Sequence, residues 1–197
     1  MKKFYKHKQH RLKNYNYSSN GSYFITICVK NKECLLGDIT VVAVDAHGDR
    51  SIDAHGDRFD AHGDRKTDNI NDLICLKSSG AKMVLSDFGH ITKKYIETSK
   101  SVYQGLSVDN YVIMPNHIHM ILSVCNNDFI CTEKPCHDLI PTYVSSLKTL
   151  ITKEIGFSIF QRNFHDHIIR NEDEYEKIWD YIDTNPSNWV ADRFYMY

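Results

Sequence analysis

The sequence predicts an α+β fold in which one antiparallel sheet carries helices on one face. Three observations lead there. Strand-length runs rich in β-branched and aromatic residues alternate with amphipathic stretches at helical spacing, each bounded by turn or cap residues. One run, His117–Val124, alternates strictly between two sets of side chains. The chain has 197 residues and is 42% hydrophobic, 25% charged and 12% aromatic, an ordinary globular composition for about one domain.

Residues 23–29 (Tyr-Phe-Ile-Thr-Ile-Cys-Val) follow the turn-prone Ser18-Ser19-Asn20-Gly21 and read as a buried strand. Ala81–Leu85 is a second, short strand. Ser86-Asp87 then caps a helix to about residue 100, with Phe88, Ile91 and Tyr95 at helical spacing. Residues 108–114 form a strand that Pro115-Asn116 stops. Along His117–Val124, one face takes Ile118, Met120, Leu122 and Val124; the other takes His117, His119, Ile121 and Ser123. Residues 141–155 give a helix with Val144, Leu147 and Ile151 on one stripe, and a short strand follows over 164–169. The last helix starts at the Asn171 cap, and Glu172, Asp173 and Glu174 in its first turn suit the helix dipole. Its apolar stripe is Tyr175, Ile178, Trp179 and Ile182. Pro186 ends it and disfavours helical geometry at Asn185, which is expected just past the end.

Two segments depart from this ordinary pattern. Residues 1–13 hold Lys2, Lys3, Lys6, Lys8, Arg11 and Lys13 without an acid, and read either as a solvated terminus or as a phosphate-contacting arm. Residues 45–50, 53–58 and 60–65 each read Asp-Ala-His-Gly-Asp-Arg. These copies are too short and too polar for a stacking structural repeat. They cannot bury enough apolar surface to offset their ordering entropy. Asp and His are good metal ligands, yet a tandem duplication tolerated in a surface loop is the simpler origin. About residues 43–77 are therefore expected as a low-complexity loop insertion within a single domain, 1–197. The formal charge of −1 hides both segments: outside 45–65, 21 basic residues face 19 acidic ones.

No apolar run approaches the roughly 18 residues that span a bilayer, so no membrane partner is expected. The basic start has no apolar stretch behind it and does not read as a signal peptide. Cys28, Cys34, Cys75, Cys125, Cys131 and Cys136 form no C-x-x-C pair. That argues against a disulfide framework or zinc ribbon and for reduced thiols in a cytoplasmic protein.

Eleven histidines would give about 0.6 His-x-His pairs by chance; the chain has two, His117-Ile118-His119 and His165-Asp166-His167. Context separates them. The first pair points one way from a strand whose other face is apolar, which is how two imidazoles converge on one cation. Two incidental histidines on a polar face are the alternative. Tyr181 and Asn185, four apart on the last helix, share a flank beside its buried stripe. Alone, that flank reads as plain packing.

Three motifs in order give the chain a family resemblance: Met114-Pro115-Asn116-His117-Ile118-His119, then residues 162–170 (Arg-Asn-Phe-His-Asp-His-Ile-Ile-Arg), then Tyr181-Ile182-Asp183-Thr184-Asn185-Pro186. They resemble the REP-associated tyrosine transposases, single-tyrosine HUH enzymes related to the small insertion-sequence transposases. Arg11-Leu12-Lys13, leading through Tyr17-Ser18 to residues 23–28, also fits. The resemblance covers nearly everything outside roughly 43–77, and the triple repeat is what the family pattern does not require.

The resemblance implies a ferredoxin-like sheet and a single-stranded DNA endonuclease and strand transferase acting on hairpin, REP-like DNA. Mg²⁺ or Mn²⁺ would be held by His117, His119 and Asn185. Tyr181 would be the nucleophile, leaving a 5′-phosphotyrosine whose conserved bond energy makes a nucleotide cofactor unnecessary. Phosphate and base contacts would come from Lys2, Lys3, Lys6, Lys8, Arg11 and Lys13, and from Arg162, His167 and Arg170. Monomer and homodimer both fit. Two other readings stay open: a hairpin-DNA-binding protein without turnover, and a metal phosphoesterase that uses activated water and has no need of Tyr181.

Overall fold

The computed structural model describes residues 19–45, 48–53, 57–59, 65–67, 81–99, 103, 105–125, 139–192 and 194–195. In chain order the elements are β1 (Gly21–Cys28), β2 (Gly37–Asp45), β3 (Gly48–Asp53), β4 (Asp57–Phe59), β5 (Arg65–Thr67), β6 (Ala81–Leu85), α1 (Asp87–Ser99), β7 (Leu106–Met114), β8 (His117–Val124), α2 (Leu139–Ile155), β9 (His165–Ile169) and α3 (Glu172–Thr184). Short 3₁₀ turns occupy Lys30–Lys32 and Pro186–Ala191. Among the described residues no helix is long and apolar enough to cross a membrane.

The main sheet is antiparallel, in the order β7-β8-β1-β9. Its two faces do different work. One carries Tyr23, Ile25 and Ile27 of β1 with Ile118, Met120 and Leu122 of β8, packed against Ile96 of α1 and Ile140, Tyr143, Val144, Leu147 and Ile151 of α2. Each such fully buried apolar side chain contributes about 1.5–3 kcal/mol. The other face carries α3, whose Tyr175, Ile178, Trp179 and Ile182 cover Phe24, Val112, Ile121 and Ile169. The expected antiparallel sheet with helices α1 and α2 on one face is present; α3 adds a layer opposite them, on the histidine side.

Local chemistry sets the element ends. Ser86 Oγ accepts from the Gly89 N–H at the start of α1. At α3 two bonds close the first turn: Asn171 Oδ1 accepts from Glu174 N–H, and Glu174 Oε2 accepts from the N–H of Arg170, the residue before the cap. Helix α3 ends at Thr184 and Asn185 is its C-cap, just past the end as expected, although it keeps right-handed helical dihedrals (φ −56°, ψ −43°) before Pro186; a 3₁₀ turn begins at Pro186.

Strand β7 begins at Leu106, two residues before the expected start, because a bulge between Val108 and Asn110 lets pairing with β8 continue to Leu106↔Val124. Asp109 is the extra residue. Its carboxylate accepts hydrogen bonds from Ser107 Oγ, Ser123 Oγ and the Tyr175 hydroxyl. Asn110 Nδ2 donates to Asp183 Oδ1 near the end of α3.

A second sheet runs β5-β4-β3-β2-β6. Within the segment expected as a loop, β2 pairs with β3 from Thr40↔Asp53 to Asp45↔Gly48, and β4 continues the ladder to β5. Backbone pairing needs no apolar side chain, so a polar repeat can still form such a ladder. Gly37 starts β2 at φ +143°, where a Cβ would stand 2.1 Å from the Val84 carbonyl oxygen. The repeat's His47, His55 and His62, and the arm with Lys2, Lys3, Lys6, Lys8, Arg11 and Lys13, lie outside the described residues.

Candidate metal and tyrosine site

His117 and His119 are the first and third residues of β8 and project to the α3 side. β8 is an inner strand, so each histidine is flanked on both sides: His117 by Cys28 and Met114, His119 by Thr26 and Val112. Both are fully buried, and their rings meet edge-on with centroids 4.4 Å apart. Each Nδ1 is engaged. His117 Nδ1 bonds Asn116 Oδ1 at 2.9 Å, and His119 Nδ1 bonds Thr26 Oγ1 at 2.8 Å. That leaves the Nε2 edges as the faces presented to the site.

Helix α3 brings Tyr181 to this edge. Its hydroxyl lies 3.3 Å from His119 Nε2 and 3.2 Å from Asp192 Oδ2. Phe24 stacks on His119 and meets Tyr181 edge to face, which fixes both rings. Tyr181 is nevertheless 39% exposed, so it faces both the histidines and solvent.

The 3₁₀ turn after α3 returns the chain across the site. Phe194 lies 4.5 Å from the His117 ring centroid and Trp189 6.0 Å. Asp192 follows the turn, and its carboxylate also accepts from Asn185 Nδ2 at 3.2 Å. One ligand atom each from His117, His119 and Asp192 all lie within 4.8 Å of one another. Two imidazole nitrogens and a carboxylate oxygen at that spacing form a donor set that fits a divalent cation. Asn185 Oδ1, buried, has no hydrogen-bond partner among the described residues.

The structure therefore brings together Tyr181, His117, His119 and Asn185, and adds Asp192. Sequence reasoning missed Asp192 because it stands beyond Pro186, outside the helical periodicity that links Tyr181 to Asn185. It missed Asn116 and Thr26 as partners of the histidines for a related reason: both contacts depend on strand register or turn geometry. Arg162, His167 and Arg170 are exposed and lie around β9, with His167 opposite Phe24 in the sheet. His167 Nε2 pairs with Glu174 Oε1 at 2.7 Å. Arg162 lines an open groove with Lys148 and Lys153.

Tyr175 sits earlier on α3 in a different setting. Its hydroxyl donates to Asp109 at 3.0 Å. Burial first, and the Asp109 charge next, push its pKa up to about 12. Such a phenol is held protonated.

No family model matches the chain. A Haemophilus influenzae protein of uncharacterised function is 32% identical to it over 204 residues, spanning 94% of this chain and 91% of that protein. The chain belongs to the same family as that protein. Among solved structures, a REP-associated tyrosine transposase bound to a REP hairpin is similar over 91% of this chain and 73% of its own, at 16% identity and a TM-score of 0.49. A candidate transposase from Deinococcus radiodurans is similar over 88% of this chain and 97% of its own, at 15% identity and a TM-score of 0.36.

Proposed function

We propose that this chain is a metal-dependent tyrosine transposase that nicks and rejoins single-stranded, hairpin-bearing DNA through a 5′-phosphotyrosine. One observation carries the reading: a partly exposed tyrosine hydroxyl stands 3.3 Å from one of two buried, converging histidines and 3.2 Å from a carboxylate. A core tyrosine needs none of this. A nucleophile needs access on one side and a proton acceptor on the other.

His117 and His119, with Asn185 Oδ1 as the third donor, would hold Mg²⁺ or Mn²⁺, which leaves Asp192 free to act on the tyrosine. When bound, the ion supplies Lewis-acid polarisation of the phosphoryl oxygens. Tyr181 Oη attacks phosphorus, the P–O3′ bond breaks, and the departing O3′ takes a proton from water, so that the strand leaves with a 3′-hydroxyl. The tyrosine proton passes to Asp192 Oδ2, which already accepts its hydrogen bond. A second 3′-hydroxyl attacking the phosphotyrosine reverses these steps and joins strands.

The basic arm of Lys2, Lys3, Lys6, Lys8, Arg11 and Lys13, together with Arg162, His167 and Arg170, supplies phosphate contacts. The affinity of such contacts falls steeply with salt. Phe157, just past α2, meets Phe88 edge to face and is otherwise exposed, which leaves ring surface for a base to stack on.

The test is covalent capture. Incubation with a 5′- or 3′-labelled hairpin oligonucleotide and Mg²⁺ should give an SDS-resistant adduct through the DNA 5′ end, absent in Tyr181→Phe. Hairpin binding without any cleavage would identify a DNA-binding protein instead. Cleavage without an adduct would identify water as the nucleophile.

A further inference from the structure

We propose that Asn116 is a positioning residue that sets which nitrogen of His117 faces the site; the inference rests on the metal reading of the preceding subsection. Asn116 is 1% exposed at the two-residue turn between β7 and β8. Its Nδ2 donates to two backbone carbonyls, Lys32 O at 3.1 Å and Phe194 O at 2.9 Å. Both amide protons are thereby used, and the orientation of the amide is fixed. Oδ1 carries no hydrogen, so at 2.9 Å from His117 Nδ1 it can only accept. The proton of neutral His117 therefore sits on Nδ1, and the lone pair sits on Nε2, toward His119 and Asp192.

The turn itself is immobilised. Val29 N–H donates to Asn116 O at 2.8 Å and Leu36 N–H to Pro115 O at 2.9 Å. The amide thus reports to His117 from a rigid base, and it holds the Phe194 carbonyl, joining the segment that carries Asp192 to the histidine strand. His119 has a different arrangement. The Thr26 hydroxyl rotates and can donate or accept, so it orients the ring without choosing a tautomer. The two histidines are held by partners of different strictness.

The experiment reads the tautomer directly. Long-range ¹H–¹⁵N correlation of the imidazole nitrogens, with no metal added and at a pH where the ring is neutral, should show His117 protonated on Nδ1 in the wild-type chain. Asn116→Ala should lose that preference and weaken Mn²⁺ binding, measured by calorimetry, by about 10–100-fold. Asn116→Asp keeps an acceptor for Nδ1–H but gives up both donations. It should keep the tautomer and most of the Mn²⁺ affinity while melting at a lower temperature. A wild-type His117 protonated on Nε2 overturns the proposal, even if both variants fail to fold. So does an Asn116→Ala protein with unchanged tautomer and unchanged Mn²⁺ affinity. A wild-type chain that shows the Nδ1–H tautomer but binds no Mn²⁺ sinks the metal reading and leaves the assignment of Asn116 standing.

Discussion

The two His-x-His pairs are the same motif in sequence and different objects in space. His119 and His165 lie in one row across the sheet, both opposite Thr26, so they are about 10 Å apart, two strand spacings. All four imidazoles project toward α3. Yet His117 and His119 stand on an inner strand, buried, with each Nδ1 bonded to Asn116 or Thr26. His165 and His167 stand on the edge strand β9, where His167 is exposed and paired with Glu174. The difference teaches that spacing alone does not make a ligand pair. An inner strand and full burial are what set the first pair apart.

The largest effect should separate these pairs. His117→Ala or His119→Ala should reduce DNA cleavage by on the order of a thousandfold or more, while hairpin binding survives. His165→Ala and His167→Ala should change cleavage at saturating DNA only a few-fold. Gel assays on the four variants check it, and equal losses would erase the distinction.

The tyrosines of α3 repeat the contrast on one helix. Tyr181→Phe should fold, bind hairpin DNA and form no adduct. Tyr175→Phe should keep the adduct and lose the hydrogen bond to Asp109, costing about 1–2 kcal/mol of stability in denaturant melts. An adduct that moves the other way would assign the nucleophile to Tyr175.

A smaller effect follows from the edge pair. The Arg170 N–H first, then His167, hold the Glu174 carboxyl below the usual carboxylate range. A depressed carboxylate stabilises the fold above its unfolded pKa of about 4.3, and the gain is lost as pH falls through the lower folded value. Wild type should therefore melt above Glu174→Gln near neutral pH, and the two should converge in acid. A gap that persists there would mean that Glu174 acts by packing.

The smallest effect belongs to the repeat. Deleting 45–65 removes β3, β4 and the start of β5 but leaves the pairing of β2 with β6 from Gly37↔Leu85 to Val41↔Ala81. Nicking should be nearly unchanged and the melting temperature should move by a few degrees at most. A collapse of either would give the insertion a structural role.

Much of this was legible in the sequence because it is local. The Asn171 cap, the α2 stripe of Val144, Leu147 and Ile151, and the two-faced β8 all follow from periodicity and side-chain chemistry. The pairing of Tyr181 with the histidines was legible only as a resemblance. Asp192 was not legible at all, since its place depends on how a 3₁₀ turn redirects the chain after Pro186. The side of the sheet taken by α3 was likewise hidden. Its stripe says that it is covered on one face, not which layer covers it.

The bulge at Asp109 has a mechanical consequence. It puts two consecutive residues on one side of β7, and they grip α3 at Tyr175 and Asp183, eight residues and about 12 Å apart. The apolar stripe of Tyr175, Ile178, Trp179 and Ile182 already seats the helix on the sheet, so the two polar grips set its register rather than its hold. One lies six residues, about 9 Å, before Tyr181 and the other two residues, about 3 Å, after it. The tyrosine thus stands between two fixed points, positioned along the sheet by bonds that it does not itself make.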